Sequence, residues 1–356
     1  MRLAILWKGP SSYMNASVDA LSKRLGADLL YLVYGSHSGA PYANSLPVHR
    51  PSFVVTGSSD PIETYLDDFK PDVILVSGWD DPDFMKSVRL WQEKAFCLLF
   101  MDNQWLRKPK QILGIATRRF FVRKLFQGAL VPGERQWQFA RMLGFERSRI
   151  VAGGLSCDVS AFTRPEVSGP EVEREDTFLV CNRLVESKGV ADLVDAYGRY
   201  RSMTDRPWDL VVCGTGPMAA AFAGLPGVQM RGFVQPDRLP AEFHAAGAFV
   251  LASHFEPWGV VVHEAATAGL PVICTDAVGA SVHLVADRSS GYVVPPREPD
   301  LLARAMLSLS TRPGHERRAM GEVSSALSKG FSNKRWASAV IELCERVTNG
   351  ALSSER

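Results

Sequence analysis

Short apolar runs bounded by glycine, aspartate or proline recur along this chain, each followed by a segment of helix length. An apolar run without polar alternation reads as a strand buried on both faces, the condition of a parallel sheet. The first half predicts strands at Leu3–Trp7, Leu29–Val33, Val73–Ser77, Phe96–Met101 and Gly128–Val131. The second half repeats the alternation at Phe178–Cys181, Leu210–Cys213, Val228–Met230, Phe249–Ala252, Val272–Cys274 and Tyr292–Val294. Alternating strands and helices over 356 residues, more than one core ordinarily holds, predict an α/β protein of two Rossmann-like, doubly wound domains facing a cleft. Between Ser160 and Asp176 the chain is polar, carries two prolines and has no apolar period, which predicts the interdomain linker. The domains would then be residues 1–160 and 161–330. Trp336, Val340, Leu343 and Val347 recur at helical spacing, so residues 331–350 should form a closing helix that crosses back to the N-terminal domain. Past Asn349 the tail should fray.

Composition narrows the class. With 46% hydrophobic and 22% charged residues and a net charge of +2, the chain is an ordinary globular protein without bulk affinity for nucleic acid. The six cysteines contain no C-x-x-C pair, and several sit in apolar runs such as FCLLF, so buried reduced thiols are expected. MRLAILWKG runs straight into the first strand and reads as no secretion signal. No apolar run approaches the roughly 20 residues needed to span a bilayer, so a cytoplasmic protein is expected, free to touch the inner face of a membrane.

The most informative stretch is HFEPWGVVVHEAATAGLPVICTDAVGA, from His254 to Ala280. Glu256 and Glu264 lie eight residues apart, with Pro257 and Gly259 between them and helix-forming residues from about Val260. A proline followed by small residues suits a helix start, whose free N–H groups and dipole welcome an anion such as a diphosphate. At ~1.5 Å rise per residue the two carboxylates would stand ~12 Å apart on one side, a spacing fit for two hydroxyl-rich sugars at either end of a diphosphate. Glu256 would meet a transferred sugar and Glu264 a ribose. Taken alone, the stretch is equally well a helix with an acidic first turn and an exposed glutamate. A second motif, LVCNRLVESKGVADLVDA, runs from a strand into a turn bearing Arg183 and Lys188. Cations just beyond a strand's carboxyl end can neutralise a departing diphosphate, whereas at a helix start they oppose the dipole, so a purely structural role is poorly motivated.

These two segments resemble the retaining glycosyltransferases of family 4, which have the GT-B fold. That family carries an E-x7-E motif as EPFG or EPWG followed by an EAxAxGxPV helix, with a GRLVxxKG strand-turn before it. Its GxGP turn is matched by Gly214-Thr215-Gly216-Pro217 and its strand ending in GxV by Arg231-Gly232-Phe233-Val234. The resemblance covers nearly all of the C-terminal half. It implies a metal-independent enzyme without cofactor that transfers a sugar from a UDP- or GDP-sugar, its co-substrate, to a glycan or lipid-linked acceptor in polysaccharide, lipopolysaccharide or other glycoconjugate synthesis. Residues 161–330 would bind the donor and residues 1–160 the acceptor. Arg183 and Lys188 would grip the diphosphate, Glu264 the ribose, and Glu256 would lie by the sugar. Backbone amides around Trp258, Gly259 and Val260 would touch its hydroxyls or the phosphates, while Gly214, Arg231, Phe233 and Val234 would border the nucleotide. In the N-terminal half a single Gly9 stands where many members have a glycine pair. Asp102, with Asn103, stands where others have a histidine that approaches the donor sugar, and it would orient or deprotonate the acceptor hydroxyl. A cap after the preceding strand is its other reading.

Other signals carry less. Asp81-Pro82-Asp83 has the D-x-D spacing of a cation site, but proline with flanking acids is what a helix start wants, so capping comes first, acceptor contact second and metal last. His254 and His263 flank the E-x7-E stretch without any partner that would mark a triad or metal, and structural roles are expected for both. Between Gln104 and Gln127, Arg107, Lys108, Lys110, Arg118, Arg119, Arg123 and Lys124 meet no acid and interleave with Trp105, Phe120, Phe121 and Phe126. Such a helix can lie in an anionic headgroup layer, or its aromatics can pack inward under solvated bases; both readings stay open. Nucleic-acid binding falls well behind, because no recognition motif accompanies the patch. Two rival functions are an NAD-dependent nucleotide-sugar epimerase or dehydrogenase and an inactive glycosyltransferase-like binding protein. The first lacks G-x-G-x-x-G after the first strand, where WKGPSSY stands, and any Tyr-x-x-x-Lys pair. The second is opposed by Arg183, Lys188, Glu256 and Glu264 being present together.

Overall fold

The computed structural model describes residues 1–9, 11–34, 53–56, 61–165 and 174–354. The chain divides into two compact units, Met1–Ser156 with Asn333–Arg356, and Cys157–Ser332. The first unit carries a parallel sheet of β1 (Leu3–Lys8), β2 (Leu29–Tyr34), β3 (Phe53–Thr56), β4 (Val73–Ser77), β5 (Phe96–Phe100), β6 (Gly128–Val131) and β7 (Ile150–Ala152), in the order β3-β2-β1-β4-β5-β6-β7. Leu3, Ala4, Ile5 and Leu6 are all inaccessible, as are Val73 and Ile74 beside them, because helices cover both faces of the sheet. Apolar pattern reading finds every strand of this sheet except β3 and β7, the two short edge strands.

The helix Asn333–Ser354 belongs to this first unit. Trp336, Val340, Leu343 and Val347 are its buried stripe. Trp336 Nε1 donates to the Gly154 carbonyl (2.9 Å), and Asn333 Nδ2 donates to Ser17 Oγ (3.1 Å) on the helix Ser12–Leu25. The helix runs past Asn349 to Ser354.

The second unit holds β8 (Thr177–Cys181), β9 (Asp209–Cys213), β10 (Val228–Gly232), β11 (Ala248–Leu251), β12 (Val272–Thr275) and β13 (Gly291–Val294), all parallel, in the order β10-β9-β8-β11-β12-β13. The direction of winding reverses between β8 and β11, the place where open parallel sheets form their binding crevice. The crossing between units lies at Ser156–Cys157, ahead of the polar stretch expected to be the linker. Asp158 accepts from Ala161 N–H to cap the short helix Val159–Phe162, and Phe162 packs edge-on against Phe243 (5.2 Å), which fastens this stretch to the second unit. The middle of the expected linker, residues 166–173, lies outside the described residues. All six cysteines are free thiols, and burial raises those that titrate abnormally.

Gly189 is the tightest joint of this unit. Its φ is 66°, and a Cβ there would lie 2.0 Å from the carbonyl oxygen of Ala252, at the end of β11. Gly198, in the helix Val190–Ser202, has open space around it. Gly189→Ala should therefore lose at least about 2 kcal/mol, combining left-handed strain with backbone displacement. Gly198→Ala should be neutral or gain about 0.5–1 kcal/mol. Urea unfolding of the two variants checks this, and equal midpoints would contradict it.

Candidate active site

Parallel strands deliver their carboxyl ends to one edge of the sheet, and in the second unit five of the loops leaving that edge are tied to one another. After β8, Asn182 N–H donates to the Cys213 carbonyl (3.1 Å) and Leu184 N–H to that of Thr215 (2.8 Å). After β9, Gly214 N–H donates to the Gly232 carbonyl (2.7 Å) at the end of β10. A Cβ at Gly214 would stand 1.9 Å from the Asn182 carbonyl oxygen, so the G-T-G-P turn needs glycine for backbone to touch backbone. After β11, His254 N–H donates to the Ser187 carbonyl (2.9 Å), and Gly279 N–H, after β12, donates to the Glu256 carbonyl (3.0 Å).

This lattice brings Lys188 and Glu256 together. Lys188 ends the turn Glu186–Lys188 behind β8, and Glu256 lies in the loop behind β11, on the two strands that flank the reversal of winding. Lys188 Nζ and a Glu256 carboxylate oxygen form an ion pair, with side chains only 17% and 15% exposed. A pair so far withdrawn from water is held by its surroundings as well as by charge, and removing one partner leaves the other poorly solvated. Arg183 is exposed on the same loop. Among the described residues no ion pair engages it.

The helix after Glu256 begins at Val260, with Gly259 at φ 95° as its N-cap. The ~12 Å estimate from a continuous helical rise therefore fails for the first half of the E-x7-E spacing, because Glu256 stands in the loop and only Glu264 is helical. In its first turn Val262 N–H donates to the Gly259 carbonyl (2.9 Å), and a helix start leaves the N–H groups ahead of it without intrahelical partners. The Trp258 indole is buried between Phe331 (5.4 Å) and His283 (5.9 Å), so only its backbone can face one. Glu264 lies on the second turn, half-buried, and among the described residues no cation pairs with it. Burial, then the negative charge of Asp158, pushes its carboxyl up to about 8. It is thus mostly protonated at neutral pH, able to donate as well as accept a hydrogen bond. Arg231, at the end of β10, pairs with Glu242 (3.5 Å) and is 44% exposed. Phe233 and Val234 follow it, half-buried.

Gly9 and Asp102 belong to the first unit. Gly9 turns the chain out of β1 with φ 70°, and Asp102 is half-buried just after β5. The helix beyond Asp102 starts only at Pro109, so Asp102 is no helix cap. Asp81 is one: it accepts from Asp83 N–H (3.0 Å) and Phe84 N–H (3.4 Å) at the head of the helix Pro82–Trp91. It also pairs with Lys8 (3.2 Å). In the segment Gln104–Gln127 the helix spans Pro109–Leu125, and neither reading of its aromatics holds throughout. Leu125 and Phe126 are buried, whereas Phe120 is 77% exposed and Ile112 and Leu113 also face outward. The side chains of Lys110, Arg118 and Arg119 lie outside the described residues. Trp79, Asn103, Ile115 and Phe139 line a cavity of about 430 Å³ beside this helix.

The two histidines differ. His263 is structural: Cys157 N–H donates to Nδ1 (3.0 Å), Nε2 donates to the Ser328 carbonyl (3.2 Å), and burial pushes it down to about 4. His254 Nε2 stands 2.6 Å from Asp192 Oδ2, a partner the sequence did not indicate. Sequence offered only a weak signal for this pair. Asp192 falls one helical turn beyond Lys188, but 62 positions separate it from His254.

Residues 165–325 match the family model of glycosyl transferases group 1. A glycogen synthase of Mycobacterium tuberculosis is 30% identical over 172 residues, 46% of this chain and 41% of that protein. The D-rhamnosyltransferase WbpZ of Pseudomonas aeruginosa is 29% identical over 180 residues, 47% and 45% of the two chains. A D-inositol 3-phosphate glycosyltransferase of Streptomyces griseus is 34% identical over 123 residues, 35% and 25%. The chain thus spans less than half the length of these curated relatives. Among solved structures, Anabaena HepE in complex with UDP superposes with a TM-score of 0.74 at 14% identity, covering 97% of this chain and 100% of HepE. An E. coli trehalose-6-phosphate structure bound with UDP-2-fluoro glucose gives 0.73 at 11% identity, covering 98% and 99%. The chain therefore has the fold of these solved structures, the GT-B architecture, and its residues 165–325 match the glycosyl transferases group 1 model.

Proposed function

We propose that this protein is a retaining, metal-independent glycosyltransferase that moves a sugar from a UDP- or GDP-sugar to a glycan or lipid-linked acceptor in glycoconjugate synthesis. The observation that carries this reading is the ion pair of Lys188 with Glu256 at the reversal of the second sheet. A cation meeting a carboxylate beside an open helix start provides, in one place, groups for a diphosphate and for sugar hydroxyls. Lys188 and Arg183 bind the diphosphate, and the N–H groups around Trp258, Gly259 and Val260 assist them. Glu256 accepts from the sugar. Glu264, mostly protonated, binds the ribose, and Gly214, Arg231, Phe233 and Val234 border the nucleotide. The bond from the anomeric carbon to the β-phosphate oxygen breaks, and the negative charge that develops falls to the cations. The acceptor oxygen bonds to the same face, its proton passing to the departing phosphate. The names of similar proteins support sugar transfer, and the UDP bound in HepE supports a nucleotide-sugar donor.

Lys188→Met and Glu256→Gln should each reduce sugar transfer at least about 100-fold. Each single variant should also lose about 1–3 kcal/mol by stranding its partner, and the double variant should regain that stability while staying inactive. UDP or GDP release from UDP-glucose, UDP-N-acetylglucosamine and GDP-mannose, measured in EDTA beside thermal melts, tests this. A double variant that regains transfer would assign the pair a structural role only, and loss of wild-type turnover in EDTA would refute metal independence.

Glu264 gives a pH signature. Its folded carboxyl titrates near 8 and its unfolded one near 4.5, so between those values the unfolded chain is ionised while the folded one retains its proton. Stability therefore falls as pH rises across that window. Glu264→Gln removes this dependence, and its stability advantage over wild type should grow by at least about 1 kcal/mol from pH 5 to pH 8. Parallel stability curves for the two proteins would contradict the assignment.

For a lipid-linked acceptor, the helix Pro109–Leu125 is the membrane-facing element. Ile112, Leu113 and Phe120 are exposed among basic residues, a combination suited to an anionic headgroup layer. Sedimentation with phosphatidylglycerol vesicles, but not with phosphatidylcholine vesicles, is expected, and Phe120→Glu should weaken it. Equal failure to sediment with both would leave this element without a membrane role.

A further inference from the structure

The Lys188 turn and the Glu256 loop leave different strands, and something must hold both at the distance of an ion pair. Their backbone link is the bond from His254 N–H to the Ser187 carbonyl (2.9 Å). A side-chain link runs parallel to it. His254 Nε2 stands 2.6 Å from Asp192 Oδ2, with side chains 11% and 23% exposed. Facing a carboxylate, Nε2 must carry the hydrogen and donate it.

The chain geometry gives this bond leverage. Asp192 lies in the first turn of the helix Val190–Ser202, which is separated from Lys188 only by Gly189. His254 lies two residues ahead of Glu256. Each partner is thus anchored one short step from one member of the ion pair, and neither belongs to it. With Gly189 seated on the Ala252 carbonyl, the bond closes a small ring: Lys188, Gly189, Asp192, His254, Glu256 and back to Lys188.

We propose that His254 and Asp192 are positioning residues of the donor site, which keep the Lys188 turn and the Glu256 loop in register through their mutual hydrogen bond. The proposal rests on Lys188 and Glu256 forming that site. A cation placed to receive charge on a departing diphosphate must be fixed before the charge develops, and displacement on the order of 1 Å costs about 100-fold in rate. The pair's loss should accordingly appear in turnover more than in donor affinity, and a side chain that restores the hydrogen bond should restore the rate.

The test uses the full chain and whichever of UDP-glucose, UDP-N-acetylglucosamine or GDP-mannose the wild type turns over. Asp192→Ala and His254→Ala should each lower kcat about 10- to 100-fold, with donor KM changed less than about threefold. Asp192→Asn and His254→Gln, which can still accept and donate at those positions, should stay within about threefold of wild type. Alanine variants with wild-type kcat, or conservative variants as impaired as the alanines, would overturn the proposal. Full activity in Lys188→Met would instead overturn the donor-site reading beneath it.

Discussion

The meeting of Lys188 with Glu256 is the interaction on which the site in the second unit depends, and it exists because a parallel sheet sends every strand's carboxyl end the same way. The two residues leave β8 and β11, adjacent strands with crossovers that wind in opposite directions. Two charges drawn this far out of water gain from each other only when their geometry is fixed. The surrounding loops supply that rigidity through backbone bonds, with side-chain packing secondary.

Close backbone approach explains the glycines at this edge. Gly189 and Gly214 lie where a carbonyl oxygen of a neighbouring loop occupies the space of a side chain. Their role is steric before it is conformational: each lets one loop lean on the next, and the charged residues gain their positions from that contact. Trp258 works from below, filling the space between His283 and Phe331 so that the start of the helix Val260–Thr267 has a firm base.

The two glutamates of the E-x7-E motif show how environment divides identical side chains. Glu256 has a cation against it, while Glu264 has only burial and the nearby Asp158, which hold its proton on to about 8. One therefore presents negative charge and the other mostly a neutral carboxyl, two different ways of engaging hydroxyl groups.

By itself the sequence determined the two doubly wound sheets, because strands buried on both faces must be written as unbroken apolar runs, and LAIL, VILV and FLVC leave no other reading. It also exposed the charged motifs, Arg183 and Lys188 most clearly, since cations at a helix start oppose the dipole. It placed the crossing between units too late, because polarity and proline mark a surface segment without saying which unit holds it, and Phe162 anchors this one. The short edge strands β3 and β7 stayed hidden, having too few residues to show a pattern. Only the tertiary structure decided that Lys188 touches Glu256, that His254 finds Asp192, and that burial raises the Glu264 carboxyl. Each of these is a contact or a degree of burial between residues far apart in the chain, and proximity of that kind arises from the stacking of crossovers, which no local period encodes.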